Sequence, residues 1–139
     1  EAPDIKERNL MLVHVNKYDQ IAVQGELVQV VQLKDRAKEW VLNRENDKNL
    51  PEKKDENIEL IGKYAVSQGV ISLQNDRGTS YEMYIKVQNE LTRAFNEIRD
   101  ELSKAHFGRT FEDLEKAQQD AIAKAVPMKI SEAEPQNIK

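Results

Sequence analysis

The residues whose types could do chemistry in this 139-residue chain are few: Asp76 beside Gly78, a tyrosine pair Tyr81 and Tyr84, two histidines, and Glu132 with Glu134. Asp76 follows the apolar run Val70, Ile71 and Leu73 and precedes a helix start, a place where acidic catalysts often sit. An Asp there also bonds backbone donors of the turn or complements the positive end of a helix, and this structural role is the expectation. Glu132 and Glu134 lie two residues apart, so a strand would point both carboxylates to one face, where they could pair for acid–base work. No partner group lies near them in sequence, and a solvated face is expected instead. His14 and His106 fall in different elements without zinc spacing, and there is no Cys at all. No G-x-S-x-G, P-loop or G-x-G-x-x-G occurs, and five glycines are too few for a phosphate cradle. No cofactor, metal or catalytic residue is therefore assigned.

The elements that must position these residues follow from periodicity. Val70–Leu73 forms a strand ending at Asn75-Asp76-Arg77-Gly78, and the spacing of Thr79 and Glu82 predicts a capping box with a helix starting near Ser80. Tyr84, Val87, Leu91, Ala94, Ile98, Leu102 and Ala105 then line one helical face, leaving Lys86, Glu90, Arg93 and Glu97 outside. Gly108 closes this helix. Thr110 is expected to cap another helix, with Phe111, Leu114, Ala117, Ala121, Ile122 and Ala125 as its apolar stripe and Pro127 as its stop. That narrow stripe suits packing within the domain better than docking of a partner helix.

Upstream, residues 1–9 are charged, contain Pro3 and read as a linker. Leu10–Val15 is a strand with both faces largely apolar, Asn16–Asp19 a turn, and Ile21–Val23 its hairpin partner. Val30, Leu33, Ala37, Trp40 and Val41 mark a helix anchored by the indole. Arg44–Asn57 is read as a loop; Ile58–Val66 is a short strand or an irregular packed segment. Met128–Glu132, continuing toward Glu134, forms a final strand, plausible as a sheet edge able to accept another strand, and residues 136–139 are a polar tail. The class is α+β: a mixed β-sheet with helices packed on one face, in the order β-β-α-β-α-α-β. Because Met11, Val13 and Val15 on one side and Leu10 and Leu12 on the other make both faces of the first strand apolar, the face without helices is expected to be partly buried by a second copy in a homodimer.

Composition narrows the partners. With 25 acidic and 21 basic residues the net charge is −4, which supplies no positive field for phosphate backbones, so nucleic acid is not expected. No window is apolar enough to span a membrane. The absence of cysteine fits an extracytoplasmic domain as well as a cytosolic one.

The run from strand to helix carries a resemblance. Asp76, Tyr81, Glu82, Lys86, Val87 and Leu91, following an apolar strand, resemble the soluble domain of the ExbD/TolR family. The order of elements and the stretches DRGTSY and ISEAEP resemble ExbD-like proteins of the Bacteroidetes type. The segments 43–68 and 100–127 are longer than in short members. The resemblance implies a non-catalytic periplasmic domain of a single-pass inner-membrane protein, with the proton-carrying transmembrane helix upstream of Glu1. It implies an ExbB-like channel subunit and a TonB-like protein as partners in energised outer-membrane uptake. On this basis the edge Met128, Lys129, Ile130, Ser131 and Glu132 would bind the partner by strand addition, and the six motif residues would be structural. The alternative is a TolR-like anchor that binds peptidoglycan, with Tyr81 and neighbouring carboxylates contacting glycan. A hydrolase using Asp76 and Glu132 is a distant third.

Overall fold

The computed structural model describes residues 5–132. Its centre is a five-stranded sheet in the order β3-β2-β1-β6-β7, where β1 is Leu10–Val15, β2 Ile21–Val23, β3 Glu26–Val28, β6 Val70–Asn75 and β7 Ile130–Ser131. Strands β1, β2 and β3 form an antiparallel meander, whereas β1 pairs with β6, and β6 with β7, in parallel. The sheet is therefore mixed. Three helices accompany it: α1 (Val30–Leu42), α2 (Tyr81–Phe107) and α3 (Lys116–Ala125).

Alternation along the strands explains which face is covered. Met11, Val13 and Val15 of β1, Val23 and Ile21 of β2, and Ile71 and Leu73 of β6 are buried, and they share one core with Leu33, Ala37 and Val41 of α1 and Val87, Leu91, Phe95 and Ile98 of α2. The helices thus lie on one sheet face, as expected for the class. Salt links reinforce the α1–α2 seam: Lys34 and Lys38 both reach Glu97, and Lys38 also pairs with Glu101.

Three strands go beyond the expected order. Strand β3 follows β2 through Gln24 (φ 51°) and Gly25 (φ 84°), a two-residue turn with both residues left-handed. Gln24 tolerates that conformation because its side chain bonds the β1 backbone, accepting from the Leu12 N–H at 3.0 Å and donating to the Leu10 carbonyl at 2.9 Å. Strands β4 (Lys53–Ile58) and β5 (Gly62–Ser67) form a separate antiparallel hairpin. The expected loop 44–57 is thus corrected at its second half. Apolar alternation is missing from Lys53–Asn57, because this hairpin reaches the core from its second half: Ile58 and Val66 are buried there, with Ile61 and Tyr64 packed against them.

The first half of that loop is organised by Asn43, which is buried and closes α1 at φ 42°. Its amide donates to the Asp47 and Pro51 carbonyls at 3.0 and 2.9 Å and accepts from the Asp47 N–H at 2.8 Å. The expected linker is tied in at its end, for Glu7–Asn9 form a 3-10 turn and Asn9 exchanges hydrogen bonds with Glu52.

Two helix starts differ from expectation. Ser80, not Thr79, caps α2, its Oγ accepting from the Met83 N–H at 3.1 Å. Thr79 instead donates to the Val15 and Asn16 carbonyls at the end of β1. Gly108 closes α2 at φ 72° as expected. Helix α3 begins six residues after Thr110, with Glu115 and Gln118 forming its capping box, while Phe111–Asp113 is a 3-10 turn; Pro127 follows its end. Among Met128–Glu132 only Ile130 and Ser131 have strand geometry, and Glu134, Pro135 and the tail 136–139 lie outside the described residues.

Candidate functional site

Asp76, Tyr81 and Glu82 sit where β6 passes into α2, and the turn is built from three directions. Strand β6 delivers Asp76 beside the end of β1, where the Asp76 N–H donates to the Val15 carbonyl at 2.9 Å. The β1–β2 turn delivers Asp19, held left-handed at φ 61°, with Asn16 accepting from the N–H groups of Tyr18 and Gln20. Asp19 then accepts from the Ser80 N–H at 2.9 Å, and this bond holds its carboxyl below the usual carboxylate range. Asp19 therefore serves the α2 N-terminus, one of the two roles expected of Asp76.

The Asp76 carboxylate faces elsewhere: its Oδ1 lies 2.7 Å from His14 Nε2. Both side chains are about half exposed, at 46% and 47%. The parallel register sets this contact, since Val15 pairs with Asn75 and His14 with Gln74 on the helix-free face. A depression of about 490 Å³ adjoins them, lined also by Leu12, Ala22 and Gln74. A histidine oriented by a carboxylate can move a proton, but no Ser, Thr, Cys or Lys lines that depression to act as a nucleophile. His106 stands apart, on the last turn of α2 beside Phe107.

Glu132 is exposed, as expected, and is also hydrogen-bonded. It follows β7 and accepts hydrogen bonds from the Tyr84 hydroxyl and, at 3.4 Å, from Gln88 Nε2, both on α2. In the register that pairs Ser131 with Ser72, Glu132 would fall opposite Leu73, three residues short of Asp76. At a rise of about 3.3 Å per residue, the two acids are separated by roughly 10 Å along the sheet and have different partners. The structure does not bring together an Asp76–Glu132 pair.

The other motif residues divide by exposure. Val87 and Leu91 are fully buried in the core, whereas Glu82 and Lys86 form an exposed ion pair at 3.1 Å one turn apart. Tyr81 is 77% exposed, with its ring 6.4 Å from that of Tyr84. Strand β7 is terminal in the sheet order, and β3 occupies the opposite end. Sequence reasoning missed His14 and Asp19 as partners because both contacts span about sixty residues of chain. The local signal for Asp19 was its place in an Asn-Lys-Tyr-Asp turn; His14 had none beyond its strand.

Among the described residues no cluster of three His, Cys, Asp or Glu could hold a metal ion, and no helix is long and apolar enough to cross a membrane. No protein-family model matches the chain, and no match was found among curated proteins.

Proposed function

We propose that this chain is the non-catalytic periplasmic domain of an ExbD-like subunit, working in a proton-motive-force-driven TonB–ExbB–ExbD complex that energises outer-membrane uptake. In this reading a membrane helix connects the domain to an ExbB-like channel subunit, and the domain recognises a TonB-like protein. The observation that carries it is the terminal place of β7 in a mixed sheet with helices on one face. A sheet end can add a strand of a partner, main-chain bonds supplying affinity and alternating pockets supplying selectivity. Met128–Ile130 is the accepting segment, and of the residues that carry the resemblance Val87 and Leu91 hold the fold from the core.

A homodimer accompanies this reading. Leu27 is 65% exposed on the helix-free sheet face, beside half-buried Leu12 and Ala22, and a second copy would cover all three. Sedimentation of the parent chain and of Leu27→Asp should give a dimer and a monomer respectively.

The exposed Tyr81 keeps a TolR-like peptidoglycan anchor as the competing reading, because sugars stack on open aromatic faces. Titrating the labelled domain with a TonB-like linker peptide and with muropeptides separates the two. Saturable shifts at Met128–Ile130 with peptide alone are expected. Shifts at Tyr81 with muropeptide alone would replace the transport reading with the anchor.

A further inference from the structure

A hollow of different character lies away from the sheet ends, between the end of α1, strand β5 and the end of α3. Its volume is about 320 Å³, within the roughly 300–1,000 Å³ typical of small-molecule pockets. Phe95 and Ile98 of α2 and Val126 after α3 supply an apolar lining. The polar groups around it are Arg44, Lys53, Tyr64 and Ser67, with no carboxylate among the lining residues, although acids outnumber bases in the chain. The other three depressions described on this surface each include an Asp or Glu.

The cations at this hollow differ in commitment. Arg44 is held by both oxygens of Glu39, at 2.7 and 3.1 Å. Lys53 is half-buried and makes no ion pair or side-chain hydrogen bond among the described residues. Tyr64 is also half-buried, without a hydrogen-bond partner, and burial pushes its phenol above the ordinary range, so it stays a donor at neutral pH. Lys53 pairs with Ser67 and Tyr64 with Glu56, so the two side chains leave opposite faces of the hairpin, and the uncommitted ammonium of Lys53 is the group a ligand acceptor would complete.

We propose that this hollow binds a small amphipathic carboxylic acid, its apolar body on Phe95, Ile98 and Val126 and its carboxylate paired with Lys53. The volume equals that of about ten liquid water molecules, which suits a medium-chain acid rather than a membrane-length lipid. Charge selects the acid over its alcohol, because a charge-assisted hydrogen bond is about twice as strong as a neutral one.

The test titrates the ¹⁵N-labelled chain with decanoate and with decanol, both below micelle formation. Decanoate should saturate with shifts at Tyr64, Phe95 and Ile98, and decanol should bind about tenfold more weakly. Lys53→Met should reduce decanoate affinity to that of decanol without changing decanol binding, and Lys53→Arg should retain the preference. Equal affinities for acid and alcohol, shifts confined to other surfaces, or decanoate binding indifferent to Lys53→Met would each overturn the proposal. The acid-against-alcohol comparison decides on the parent protein alone should a variant fail to fold.

Discussion

Gly69, between β5 and β6, is where the fold is least able to accept a methyl group. A Cβ built there would lie 2.8 Å from Trp40 Cζ3, 3.1 Å from Trp40 Cη2 and 3.0 Å from Pro51 Cγ. Carbon contacts are optimal near roughly 3.5–4.0 Å, so a neighbour must retreat by up to about 1 Å. Both neighbours are rings: Trp40 packs against the core from α1, and Pro51 lies in the loop braced by Asn43. Gly69→Ala should cost about 1–3 kcal/mol as overpacking, less the roughly 0.4–1 kcal/mol that alanine gains by restricting the unfolded chain. Gly69 lies outside the left-handed region, so backbone strain adds nothing. In urea unfolding the midpoint should fall with an unchanged slope, and Tm should drop by about 4 °C per kcal/mol. The decisive arm is Trp40→Leu, which removes the obstructing ring and leaves a Pro51 contact that a few tenths of an ångström relieve. In that background Gly69→Ala should be neutral or slightly stabilising, a coupling of about 1–2 kcal/mol. An equal cost in both backgrounds would refute the steric argument.

Ser80→Ala should cost about 1 kcal/mol by removing the α2 cap, whereas Glu82→Gln should be nearly silent in thermal unfolding, since Glu82 is exposed; the reverse ranking would return the cap to Thr79 and Glu82. Asn43→Ala should cost about 2–4 kcal/mol, because it strands the Asp47 N–H and the Pro51 carbonyl and puts a Cβ without compensation at φ 42°; chemical denaturation measures it. The Lys34 hydrogen bond, then Lys38, holds the Glu97 carboxyl below its ordinary 4.5. Below that value the unfolded chain takes up the proton first, so this contribution is present above pH 4.5 and disappears as pH falls through the lower folded pKa. Glu97→Gln should therefore destabilise at neutral pH and converge with the parent in acid; a constant gap across that range would contradict the assignment.

Local pattern sufficed wherever one residue's neighbours in sequence were also its neighbours in space. The apolar steps of α1 and α2, the run of β6, the Gly108 closure and the Pro127 stop were legible because helix and strand periods place those residues on one face. Of the β4–β5 hairpin only β5 was legible, as one of two options for Ile58–Val66; β4 was not, since Lys53–Asn57 points mostly to solvent and the pairing with Gly62–Ser67, rather than apolar alternation, holds it. The cap illustrates the same limit. Thr79 and Ser80 are both competent hydroxyls, and only the arrival of the Val15 and Asn16 carbonyls engages Thr79 and leaves the helix to Ser80. The sites depended still more on tertiary structure: the parallel β1–β6 register brings His14 to Asp76, and the β1–β2 turn brings Asp19 to Ser80. Sequence alone thus determined the class, the main helices and the strands that form the core. Contacts across tens of residues decided the partners of each carboxylate, because register and turn geometry, not composition, set which polar groups meet.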